Sequence, residues 1–96
     1  MPLDELIQTH REEILRLAAR HGARNVRLFG SRACGQAGPG SDVDLLVRME
    51  QRRSLLDLVG LWQDLEALLG RKVDVVSEGG LSPYLRDRVL AEAVPL

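Results

Sequence analysis

Two aspartates, Asp42 and Asp44, open the apolar run DVDLLV, and this run constrains the fold more than any other feature of the chain. Successive side chains of a β-strand point to opposite faces, so Val43, Leu45 and Val47 share one face while the two carboxylates share the other. Carboxylates held close together repel, and partial burial strengthens the repulsion by removing water from both. A divalent cation is the simplest neutralising group, and magnesium or manganese suits an all-carboxylate set of ligands.

Asp74 repeats the anomaly in the run KVDVVS, where three valines indicate a strand in the core. If this strand lies beside the DVDLLV strand, Asp74 reaches the same cations. We therefore expect three carboxylates on adjoining strands to hold a pair of metal ions. The alternative is that an aspartate at the start of a strand is only a turn residue, which suits Asp42 best and Asp74 least.

A Gly-Ser turn, Gly30 and Ser31, directly follows the strand-like run VRLF. A strand that turns at glycine into a helix start exposes backbone N–H groups, which favour an anion such as phosphate. Gly30 would let the ligand approach the backbone, Ser31 would add a hydroxyl donor and Arg32 a positive charge. A plain turn with Ser31 as a helix N-cap is the alternative. The turn is neither a Walker A loop nor a dinucleotide-binding fingerprint.

Helical and strand-like patterns alternate along the chain. Apolar residues recur at helical spacing from Leu3 to Arg20, with Gly22 as the stop. Cap residues mark two further helices. The first begins after Ser54, with Asp57 as a capping-box partner, and ends at Gly70. The second begins with Ser82 as N-cap and Pro83 at its first position. We predict an α/β (α+β) fold with a small three-stranded mixed sheet flanked by about four helices, in a single domain over residues 1–96.

The bulk composition narrows the classes of function. The 96 residues suit one small domain without a separate substrate domain. A formal net charge of -1 makes nucleic acid an unlikely partner, since a broad nucleic-acid surface needs a basic excess. Cys34 is the only cysteine and no run approaches membrane-spanning length, so we expect a cytoplasmic protein with no internal disulfide.

The helix that begins after Ser54 carries more apolar surface than one face requires. Its apolar residues are Leu55, Leu58, Trp62, Leu65 and Leu69 in one stripe, broadened by Leu56, Val59, Leu61 and Leu68. Surplus apolar surface on a small domain usually marks an interface, so we predict a protein partner, either a second copy or another chain. The alternative is a helix clamped between the sheet and the terminal segments. His10 and His21 are interpreted as structural.

The Gly-Ser pair, ten intervening residues, the Asp-x-Asp pair and the later aspartate together resemble the nucleotidyltransferase superfamily of the DNA polymerase β type. More narrowly, the chain resembles the minimal nucleotidyltransferases, the small partners of all-helical HEPN proteins in toxin–antitoxin pairs. The resemblance covers nearly the whole chain, and its composite motif is far more specific than its pieces. It implies a polymerase β-like fold.

The resemblance also implies a role for each motif residue. The Gly-Ser turn would bind ATP or another nucleoside triphosphate through Gly30, Ser31 and Arg32. Asp42 and Asp44 would ligate two magnesium ions, and Asp74 would ligate one of them and help to deprotonate the attacking hydroxyl. The implied chemistry is in-line attack on the α-phosphate with pyrophosphate as the leaving group.

The implied function is transfer of AMP from ATP to a hydroxyl of a partner protein, such as a tyrosine of a HEPN toxin, with this chain as the antitoxin. One alternative is a weakly catalytic or non-catalytic antitoxin that binds nucleotide and its partner. Cys34 favours this alternative slightly, because the family commonly has an arginine there. Transfer to a small molecule of the aminoglycoside type is a weaker alternative, since the chain lacks a substrate domain.

Overall fold

The computed structural model describes residues 5–30, 32–33 and 42–96. Four helices and four strands lie in these ranges, together with one 3₁₀ turn at Glu78–Gly80. The helices are α1 Glu5–Thr9, α2 Arg11–Arg20, α3 Leu55–Leu69 and α4 Pro83–Glu92. The strands are β1 Ala23–Phe29, β2 Val43–Met49, β3 Val73–Ser77 and β4 Val94–Pro95. None of the described helices has the length and apolar character needed to cross a membrane.

The four strands form one sheet in the order β3-β2-β1-β4. β1 pairs antiparallel with β2 and with β4, whereas β2 and β3 run parallel. The predicted mixed sheet is therefore confirmed for its three strands, and the fourth strand is an addition. β4 pairs with β1 through only two residues, which are too few to show an alternating pattern in the sequence. The next residue extends this contact, because Leu96 N–H donates to the Val26 carbonyl at 3.1 Å.

The core lies between one face of the sheet and the helices α1, α2 and α3. Val43, Leu45 and Val47 are fully buried in it, as the alternation in DVDLLV predicts. The other buried members of the cluster are Ile7, Ile14, Ala18, Ala23, Val26, Leu28, Leu61, Leu65, Leu69 and Val73. One apolar cluster thus joins the three strands that carry the motifs.

The predicted helix over Leu3 to Arg20 is divided at His10, which corrects the single-helix prediction. His10 has φ −107° and ψ 11°, and its ring Nδ1 lies 3.0 Å from the Leu6 carbonyl oxygen. The backbone N–H of His10 donates to the same carbonyl at 3.3 Å, so ring and backbone share one acceptor. His10 is therefore held locally, in agreement with its interpretation as structural.

Both ends of α3 form as their sequence signals predict. The Ser54 hydroxyl accepts from Leu56 N–H at 3.2 Å, and the Asp57 carboxylate accepts from Ser54 N–H at 2.9 Å, which completes a capping box. The second bond holds the pKa of Asp57 below its ordinary value. Gly70 ends the helix with φ 65°, and its N–H donates to the Glu66 carbonyl. These caps fix the helix that covers β3.

We expect Ser54→Ala to lower the free energy of unfolding by about 1 kcal/mol, because it removes the cap of a helix with three buried leucines. Ser82→Ala is the matched control. Ser82 also caps a helix, but α4 has no buried residue, so fraying of α4 should lower the free energy of unfolding less. Urea unfolding of both variants measures the difference, and equal losses would contradict this account.

Candidate active site

The register of the sheet brings Phe29, Asp44 and Asp74 into one row across three strands. Phe29, the last residue of β1, pairs with Asp44 in β2, and Asp44 pairs with Asp74 in β3. Gly30 directly follows Phe29, so the Gly-Ser turn begins at the same end of the sheet. The motifs that are distant in sequence therefore meet because β2 runs antiparallel to β1 and parallel to β3.

Asp44 and Asp74 form the central pair of the candidate site. Burial raises the pKa of Asp44, and the charges of Asp74 and Asp42 and a hydrogen bond with the Asp74 side chain raise it further. The charge of Lys72 opposes these effects. The raised pKa means that the surroundings disfavour the ionised form of the Asp44 carboxyl group. This is the electrostatic problem that the sequence pattern predicts.

The three aspartates differ in exposure. Asp44 is half-buried, whereas Asp42, just before β2, and Asp74 are exposed. The expectation that Asp74 lies within the core is wrong, because Asp74 lies on the face of the sheet opposite its neighbour Val73, which is fully buried in the core cluster. Within residues 5–30, 32–33 and 42–96, no group of three or more His, Cys, Asp or Glu side chains is arranged closely enough to hold a metal ion. Asp42 thus acts on the pair through its charge.

Gly30 approaches Asp44 more closely than any other residue type would allow. Its φ is +77°, and a Cβ added there would contact the Asp44 carboxylate and lie 3.1 Å from its Cγ. The chain turns at once, because Ala33 N–H donates to the Gly30 carbonyl at 3.1 Å. Arg32 within this turn is buried, with 7% of its surface exposed. Ser31 and Cys34 lie outside the described residues.

Two residues that the sequence analysis did not assign to the site lie beside it. Lys72 is the only lysine of the chain, and it directly precedes β3, two residues before Asp74. Its spacing from Asp74 is the signal that could have indicated it. Trp62 of α3 lines a pocket of about 370 Å³ together with Phe29, Asp44, Asp74, Val75 and Val76. Helical periodicity alone predicts only that Trp62 belongs to the apolar stripe of the helix, and it does not indicate the pocket.

The family model described as nucleotidyltransferase domain matches residues 7–96 of this chain. The chain belongs to the nucleotidyltransferase domain family. It is 39% identical over 92 residues to the protein adenylyltransferase MntA of Thermococcus cleftensis, and the aligned region covers 96% of this chain and 90% of that protein. A Methanocaldococcus jannaschii protein with a provisional assignment as a protein adenylyltransferase is 40% identical over 84 residues, covering 88% of this chain and 90% of that protein.

Solved structures give the same answer for the fold of this nucleotidyltransferase. One, provisionally described as a minimal nucleotidyltransferase, superposes with a TM-score of 0.88 at 54% identity and covers 99% of this chain and 97% of its own. Another is a complex of a tri-AMPylated Shewanella oneidensis HEPN toxin with an MNT antitoxin, with a TM-score of 0.71 at 22% identity, covering 92% and 69%. The resemblance to the minimal nucleotidyltransferases is thus confirmed, and the chain is a nucleotidyltransferase.

Gly30→Ala tests the close approach, with Gly70→Ala as the matched control. Both glycines have positive φ, but a Cβ at Gly70 meets nothing within 4 Å. We expect Gly70→Ala to cost about 1 kcal/mol of unfolding free energy through backbone strain alone. Gly30→Ala should cost more, because it also displaces the Asp44 carboxylate.

Chemical denaturation measures both losses. Equal losses would show that Asp44 moves aside without cost, and the proposed constraint at Gly30 would then be wrong.

Asp44→Asn should stabilise the protein at neutral pH in the absence of divalent cations. The pKa of Asp44 is raised above its ordinary 3.8, so folding disfavours the ionised form. The wild-type protein therefore loses stability relative to the variant as pH rises from about 3.8 through the raised pKa. We expect a gain of a few degrees in Tm at pH 7, since each kcal/mol corresponds to about 4–8 °C in a domain of this size.

Thermal unfolding between acidic and neutral pH measures this effect. The difference should vanish at the acidic end, and the exposed Asp87→Asn on α4 is the control. A variant that is less stable than wild type throughout the range would contradict the assignment.

Proposed function

We propose that this chain transfers AMP from ATP to a hydroxyl group of a partner protein, and that it acts in this way as the antitoxin of a helical HEPN toxin. The observation that carries the proposal is the row across the sheet, in which Asp44 and Asp74 pair beside the Gly30 turn. The relatives at 39% and 40% identity are named as protein adenylyltransferases. A structural neighbour with the same fold is a complex with an AMPylated HEPN toxin.

The donor chemistry of the aspartates fits a divalent cation. Burial and the nearby negative charges of Asp74 and Asp42 raise the pKa of Asp44, so additional positive charge would relieve the site. Two magnesium ions, or manganese in their place, would be held by Asp42, Asp44 and Asp74. When bound, they supply the positive charge that phosphoryl transfer needs at the attacking and leaving oxygens.

The residues around the pair would orient the nucleotide. Gly30, which lacks a side chain where one would contact Asp44, lets the turn lie directly against this carboxylate. The backbone N–H groups of the turn would bind the β- and γ-phosphates. Ser31 and Arg32 would bind the same phosphates. This arrangement directs the pyrophosphate group toward β1 and the α-phosphate toward the carboxylates.

The acceptor hydroxyl would react from the side of β3. Its oxygen forms a bond to the α-phosphorus, the bond from that phosphorus to the pyrophosphate oxygen breaks, and pyrophosphate leaves. The proton of the hydroxyl passes to the Asp74 carboxylate. Because Asp74 is exposed on an edge strand, an acceptor that belongs to another protein can reach it.

A non-catalytic antitoxin is the second candidate, and Cys34 is the observation that favours it. An arginine at this position would add a positive charge to the nucleotide site, and cysteine adds none. In that case the chain would bind nucleotide and would neutralise the toxin by binding to it and blocking its surface.

Labelled ATP, magnesium and the product of the neighbouring gene test the proposed reaction. We expect label to appear on the partner, and Asp44→Asn and Asp74→Asn should each lower the rate by at least about 100-fold, because they remove charge that positions the metal. Chelation of magnesium should have the same effect, whereas Asp87→Asn should leave the rate unchanged. Absence of transfer by the wild type, with toxicity still suppressed by the aspartate variants, would favour the second candidate.

A further inference from the structure

The sheet face that carries Asp44 has an arginine cluster at its other end. Asp44, Leu46 and Arg48 alternate along β2 and therefore share one face. Arg48 is exposed and lies four residues beyond Asp44, which is about 13 Å along a strand that rises about 3.3 Å per residue. Acidic and basic side chains thus occupy opposite ends of the same face.

A β-bulge in β1 turns Arg24 toward Arg48. Between the pair Arg24–Arg48 and the pair Arg27–Leu46, β1 advances three residues while β2 advances two. Regular alternation from Arg27 would place Arg24 on the opposite face, so the extra residue reverses the direction of its side chain. Asn25 within the bulge has φ +53°, a left-handed conformation that is uncommon outside glycine. Two arginines therefore stand directly opposite each other on neighbouring strands.

The carboxylates near this cluster neutralise only part of its charge. Like charges in direct cross-strand register destabilise a sheet. Glu50 pairs with Arg24, and Glu78 pairs with the buried Arg27 at 2.9 Å. Arg48 has no ion pair or side-chain hydrogen bond in the part of the chain that the structure describes. Both carboxylates are thus engaged elsewhere, and the charge of Arg48 remains.

Arg86 of α4 completes the cluster. It is exposed and, like Arg48, forms no ion pair or side-chain hydrogen bond with another described residue. The two arginines line one pocket of about 580 Å³, whose other lining residues are Met49, Ser77, Glu78 and Gly79. Because Glu78 is already paired, Arg48 and Arg86 give this pocket a net positive charge. Arg48 also lines a neighbouring pocket of about 550 Å³ with Arg24.

This cluster differs from ordinary surface arginines, which are usually only hydrated. The strand register and the bulge hold Arg24 and Arg48 side by side, and Arg86 approaches from a different element. Left-handed backbone outside glycine is concentrated at functional sites. Both pockets have volumes within the range of about 300–1,000 Å³ for ligand sites. An anion bound here would convert the repulsion between the arginines into attraction.

We propose that this cluster is a second anion site, which takes the phosphate groups of a small ligand. The guanidinium group presents a planar set of N–H donors that matches two oxygens of a phosphate. A phosphate group with two negative charges can engage two guanidinium groups, as Arg48 and Arg86 offer, whereas a carboxylate carries a single charge. Because α4 has no buried residue, a ligand that joins Arg86 to Arg48 also holds this helix against the sheet. The inference does not depend on the proposed AMP transfer.

Calorimetric titration with pyrophosphate in the presence of EDTA tests the site. EDTA removes divalent cations, so the carboxylates at the other end of the face repel the probe. We expect saturable binding by the wild type and an affinity at least about tenfold lower in Arg48→Gln and in Arg86→Gln, the scale of one charge-assisted hydrogen bond. Arg16→Gln is the matched control, because it removes an exposed arginine of α2 that lines neither pocket.

The outcomes of this titration separate the classes of ligand. Equal binding by the wild type and both pocket variants, or no binding by the wild type, would overturn the inference. Malonate, a compact dicarboxylate, should bind more weakly than pyrophosphate, and equal affinity would refute selection of phosphate. Binding of a single-stranded oligonucleotide without any binding of pyrophosphate would refute the small ligand.

Thermal unfolding provides a readout that a merely structural role of Arg48 would not give. Arg48→Gln removes the cross-strand repulsion, so its Tm without anions should equal or exceed that of the wild type. Pyrophosphate should raise the Tm of the wild type with increasing concentration, because it binds only the folded state, and should leave Arg48→Gln nearly unchanged. It should also slow hydrogen exchange of the α4 amides in the wild type. A variant that is less stable than wild type and gains the same Tm from pyrophosphate would contradict the proposal.

Discussion

The parallel pairing of β2 with β3 is the constraint on which the rest of the structure depends. In one register it pairs Val43 with Val73 on the core face and Asp44 with Asp74 on the opposite face. A slip of one residue would exchange the two faces and bury carboxylates in the core. The hydrophobic energy that fixes the register is therefore the same energy that holds the two carboxylates side by side.

The electrostatic cost of holding the two carboxylates together is offset by stabilising contacts elsewhere in the fold. Asp44 is half-buried and its pKa is raised, and Gly30 adopts a positive φ directly against it. Against this, α3 is capped at both ends and packs three buried leucines over the sheet. Such a local cost is typical of a functional site, and the proposed AMP transfer would account for it, because it needs positive charge at that position.

Local signals predicted much of the fold, and tertiary arrangement explains the remainder. The alternation in DVDLLV, the capping box at Ser54 and the positive φ of Gly70 each depend on a few neighbouring residues, so the sequence alone indicates them. Asp74 is exposed because it lies on the face opposite the buried Val73, and the apolar run KVDVVS does not show that this second face is left uncovered at Asp74. At His10 the backbone leaves the α-helical conformation and the ring Nδ1 lies against the Leu6 carbonyl, a local feature that helical periodicity does not contain. The two residues of β4 are too few to form a pattern.

The apolar residues of α3 fall into three groups, which face the sheet, line the pocket or stay exposed. Leu61, Leu65 and Leu69 face the sheet, and Trp62 lines the pocket beside the carboxylates. Leu55 and Leu56 at the start of the helix stay 74% and 80% exposed. Leu55 precedes Trp62 by seven residues, so the two lie on one face, about 10 Å apart along the axis. The exposed start of α3 therefore forms an apolar surface that continues to Trp62 and the pocket beside the carboxylates.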